Sequence, residues 1–122
     1  MIIENIMRKY NRFQIIKIKD FFLSEIEDTE INEIIEFVNA TDKVKVEKFS
    51  DYLYNGKDYK GILLDGNQYL ISSNNSNVTI IDTLNNMYSN SEYSTIIFDL
   101  SEFIFLLNHK KQLLNYCNIL HE

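Results

Sequence analysis

The chain has 122 residues with 12 basic and 18 acidic side chains, giving a formal charge of −6. That length fits a single compact domain over residues 1–122, and the 45% apolar content excludes intrinsic disorder. One cysteine excludes an internal disulfide and a cysteine-rich zinc site.

The first predicted element covers residues 2–11, where Ile2, Ile3, Ile6, Met7 and Tyr10 fall at helical spacing. Phe13–Lys19 alternates and reads as a strand, and Asp20–Asp28 fits no single pattern. Ile31, Ile34, Ile35 and Val38 mark one face of a helix that Asp28 or Thr29 would cap. Lys43–Phe49 alternates strictly and reads as an edge strand, with lysines that block unwanted pairing. Tyr59–Leu64 and Gln68–Ser72 flank Asp65-Gly66-Asn67, the clearest hairpin signal, because glycine tolerates the positive φ such a turn needs. Ser72–Asn77 reads as a loop. Ile80, Ile81, Leu84, Met87 and Tyr88 return to helical spacing with Asn77 as a cap, and a strand over Val78–Ile81 is the competing reading. Ser94–Phe98 reads as a buried strand. Asp99 or Ser101 then caps a long C-terminal helix reaching Leu120. The fold class expected is α+β: a mainly antiparallel sheet of four to five strands with three to four packed helices.

No apolar run approaches the ~18 residues of a membrane span, and Phe103–Leu107 is the longest obvious one. Met1–Phe13 mixes charged with apolar residues and lacks the apolar core of a signal peptide. A cytoplasmic protein without membrane association is expected. Abundant Ile, Asn, Lys and Tyr, all with AT-rich codons, point to a low-GC bacterium or one of its phages.

Catalytic signals are weak. Cys117 and His121 lie four apart on one helical face, but a reactive thiolate wants a positive, partly exposed site and an orienting third group, and neither is apparent. His109 beside Lys110 and Lys111 reads as a solvated helix face. Gly56, Gly61 and Gly66 form no phosphate-binding pattern. No metal site and no cofactor are expected, and the chain is read as a non-enzyme.

Charge is distributed unevenly. Residues 1–19 hold five basic side chains and one acidic, whereas residues 20–36 hold seven acidic side chains and no basic one. Between Ile62 and His109 there is no Lys or Arg. The overall sign disfavours direct nucleic-acid binding, which needs cations to displace counterions from phosphates. The acidic segment and the tyrosine-rich stretch after it instead suggest a protein-binding surface, since Tyr brings contact area at low entropy cost. The residues expected to carry it are Glu25, Glu27, Asp28, Glu30, Glu33, Asp51, Tyr52, Tyr54, Asp58 and Tyr59.

The function expected is that of a small acidic inhibitor that blocks a larger, nucleic-acid-handling protein partner with a basic surface or groove, as a phage anti-defence or anti-CRISPR-like protein does. An immunity protein or antitoxin neutralising a cognate toxin uses the same physics and is the alternative. Two further classes compete: a small enzyme built on Cys117 and His121, and a structural or regulatory subunit that self-associates through its C-terminal helix, with Phe105 and Tyr116 off the packed stripe. The oligomeric state is not set by the sequence.

Overall fold

A computed structural model describes residues 2–39, 50–53, 60–63, 69–73, 76–82 and 95–120. The elements run α1 (Ile3–Met7), α2 (Arg12–Ser24), a 3-10 turn (Asp28–Glu30), α3 (Ile31–Asn39), β1 (Ser50–Leu53), β2 (Lys60–Leu63), β3 (Tyr69–Ser73), β4 (Asn77–Asp82), β5 (Thr95–Asp99), α4 (Leu100–Asn108) and α5 (Lys110–Leu120). The α+β class is as expected.

The strands pair antiparallel in sequence order, β1-β2-β3-β4-β5. Side chains alternate across the sheet. On one face lie Tyr69 and Ile71 of β3, Val78 and Ile80 of β4, and Ile96 and Phe98 of β5, all in the main core. Register places Ile71 opposite Ile80, Ile80 opposite Ile96, and Val78 opposite Phe98. Leu70 and Ile81, also paired in register, form a small separate buried pair on the other face. The strand side chains described in this core come from β3, β4 and β5.

The helical layer completes the core. Met7 of α1, Ile18, Phe21 and Phe22 of α2, Ile34 and Phe37 of α3, Phe103 and Leu106 of α4, and Leu113 and Cys117 of α5 are all buried in it. Helix α2 packs on α5, and α3 on α4. A run of ring contacts joins the layers: Tyr69 edge-on to Phe21 at 5.4 Å, Phe21 to Phe22 at 5.3 Å, Phe22 to Phe103 at 6.0 Å, Phe103 to Phe98 at 5.2 Å, and Phe98 to Tyr10 at 5.5 Å. Such tilted and edge-to-face pairs add about 0.5–1.5 kcal/mol each beyond the area they bury.

Several expected elements differ. Phe13–Lys19 is the first half of α2, not a strand. Its start is fixed by a reciprocal capping box: Asn11 accepts from the Gln14 amide, and the Gln14 side chain accepts from the Asn11 amide, both at 2.9 Å. Val78–Ile81 is strand, as in the competing reading, because a β-branched run fits the pleated surface between β3 and β5. Asn77 therefore opens β4 and caps no helix. Asp28 and Thr29 form a 3-10 turn that leads into α3. Asp99 caps α4 as expected, accepting from the Ser101 and Glu102 amides, but the long C-terminal helix is two helices broken at His109. At the break the His109 ring lies on Phe105, centroids 4.0 Å apart, and its Nδ1 is 2.8 Å from the Phe105 carbonyl. The expected strand over 43–49 and the Asp65-Gly66-Asn67 turn lie outside the described residues.

Candidate functional site

The acidic segment begins where α2 ends. Glu25 closes that helix and is buried, 6% exposed, so its carboxylate belongs to the interior and not to an accessible surface. Glu27 and Asp28 follow in an exposed turn. Lys110, at the start of α5, holds that turn from below: its Nζ donates to the Ile26 carbonyl and sits 3.1 Å from Asp28 Oδ1. The Asp28 side chain is 84% exposed even so, and leaves most of its surface to solvent. Glu30 and Glu33 are half-buried, while Glu36 is exposed on α3. The six carboxylates from Glu25 to Glu36 are thus sorted by the fold into one interior group, two at the margin, and an outward set of Glu27, Asp28 and Glu36.

Exposed apolar residues lie on α2. Phe13, Ile16 and Leu23 of α2 are 67%, 47% and 60% exposed. At about 100° per residue they share one arc of the helix, away from the side that buries Ile15, Ile18, Phe21 and Phe22. Leu23 lies at the end of α2 that runs into Glu27 and Asp28. Single exposed apolar residues are ordinary; here three fall on one arc of the same helix. The sequence held this signal, and the strand reading of Phe13–Lys19 concealed it.

The tyrosine-rich stretch is placed only in part. Asp51 and Tyr52 lie on β1, at one edge of the sheet, in register with Ile62 and Gly61. Tyr54, Asp58 and Tyr59 lie outside the described residues.

A polar cluster that the sequence did not suggest joins α2 to the sheet. Tyr69 and Asp82 are register partners on the helix-facing side of β3 and β4. The Tyr69 hydroxyl donates to Asp20 Oδ2 at 2.7 Å, and Lys17 Nζ donates to Asp82 Oδ2 at 3.1 Å. Lys17 and Asp20 are three apart on α2, hence neighbours on one side of it. Burial pushes the Tyr69 phenol well above its ordinary range, and the hydrogen bond to Asp20 and the charges of Asp20, Asp82 and Glu25 push it further. The phenol therefore stays protonated as a donor to Asp20.

At the opposite edge Tyr10 performs a related task. Its hydroxyl donates to the Ile97 carbonyl of edge strand β5 at 2.9 Å, and Lys9 pairs with Glu102 beside it. An occupied edge carbonyl and flanking charges discourage pairing with another strand.

Cys117 is fully buried, and burial drives its thiol up to about 11, with Lys19 pulling weakly the other way. It is a core residue of α5, and burial disfavours its thiolate. His121 lies outside the described residues. Phe105 and Tyr116, expected off the packed stripe, are both partly buried against the core. Among the described residues no three His, Cys, Asp or Glu side chains are grouped to hold a metal ion, and no helix is long and apolar enough to cross a membrane.

The chain matches no protein family, no curated protein and no solved structure.

Proposed function

We propose that the chain is a small acidic inhibitor that binds a larger, nucleic-acid-handling protein and blocks its basic groove, in the manner of a phage anti-defence protein. The observation that carries this reading is the solvent exposure of Glu27, Asp28 and Glu36, with the exposed Leu23 four residues before Glu27 at the end of α2. Carboxylates offered to solvent create a negative potential that speeds encounter with a basic surface, and an adjoining apolar side chain supplies desolvated contact once the partners meet. Asp51, Tyr52, Tyr54, Asp58 and Tyr59 are proposed as the second half of the surface. Glu25, being interior, is withdrawn from it. Neutralisation of a cognate toxin by an immunity protein uses the same contacts, and the genes flanking this one separate the two settings.

The test begins with a partner captured from the native host and identified by mass spectrometry. Its association rate with this chain is then measured from 50 to 300 mM salt. The reading expects a steep fall in rate with salt, and a flattened dependence for the triple variant Glu27→Gln, Asp28→Asn, Glu36→Gln. Equal rates and equal salt slopes for the two proteins would show that the acidic surface does not steer binding.

A further inference from the structure

We draw no further inference here: the strongest candidate, the outward apolar face of α2 that carries Ile16 and Leu23, adjoins the surface already described, and nothing in the structure shows what covers it.

Discussion

Replacing Lys17 by Met tests whether α2 is tied to the sheet by charge. Lys17 Nζ lies 3.1 Å from Asp82 Oδ2, with the two side chains 14% and 8% exposed. At an effective dielectric of about 20, unit charges at that separation attract by about 5 kcal/mol, and desolvation of both groups consumes much of this. The net worth of the pair is therefore small, whereas removing one partner takes this cation away from a carboxylate that is nearly out of water. Lys17→Met is expected to cost about 3 kcal/mol, at the lower end for breaking a buried pair because neither group is fully enclosed. Replacing both, Lys17→Met with Asp82→Leu, is expected to cost about 1 kcal/mol, because neither charge of the pair remains to be solvated. Urea denaturation at pH 7 reads these values, and with a slope of about 2 kcal/mol per molar the single variant loses roughly 1.5 M in midpoint. The four proteins of the cycle should give a coupling energy of about 2 kcal/mol or more. Additivity within about 0.5 kcal/mol would refute the reasoning, because it would mean that the two groups do not sense each other.

Other expectations concern separate parts of the fold. With its thiol at about 11, Cys117 should hold a thiolate fraction below about one in a thousand at neutral pH, against a few per cent for a free thiol. Alkylation by iodoacetamide should therefore run at least about 100-fold slower in the folded protein than in urea, and rapid native labelling would contradict its burial. Asn11→Ala removes half of the α2 capping box and should lower unfolding stability by about 1 kcal/mol, read as a drop in urea midpoint at unchanged slope. The Ser101 hydroxyl and the Glu102 amide hold the Asp99 carboxyl below its usual range, so its contribution is present above the unfolded carboxylate value and fades as pH falls through the folded one. Asp99→Ala should consequently be less stable than the parent at pH 7, with the gap closing below about pH 4. A gap that held constant to pH 2 would show that the carboxylate charge is not what the cap uses.

The sequence disclosed the elements whose burial is one-sided. In α3, Ile34 and Val38 go to the core at helical spacing, and in β5, Ile96 and Phe98 alternate with exposed Ile97. The α4 cap was equally legible, since Asp99 precedes an apolar run. The failure at α2 has a physical cause: Phe13, Ile16 and Leu23 on the solvent side fill in the polar positions that would reveal a 3.6-residue period. The signal that was present is Asn11 followed by Gln14, a start marker that outlasts a blurred periodicity. In β4, both Ile80 and Ile81 are buried because both faces of the sheet are covered there, so alternation is lost. The His109 break has no Gly or Pro to announce it.

For the site, composition located the acidic stretch but not its sorting. Whether a carboxylate points inward depends on the turn after α2, and residue type does not set that. Glu25 and Glu27 look alike in the sequence, yet one is interior and the other exposed. The Tyr69–Asp20 and Lys17–Asp82 contacts span 49 and 65 residues, a distance at which local patterns carry no information.

The arrangement of the two layers also bears on how the chain reaches this state. Every pair of adjacent strands is adjacent in sequence, so the strand pairings are local in the chain. The helical layer is the reverse: α2 meets α5, and Lys110 reaches Ile26 across 84 residues and Lys9 reaches Glu102 across 93. On the ribosome, at about 5–20 residues per second, α1 to α3 wait roughly 4–14 s after emerging before α5 follows. Throughout that interval the inner side of α2, with Phe22 and Ile18, lacks the helix that will cover it. The early helices thus depend, for part of their burial, on residues made much later in the chain.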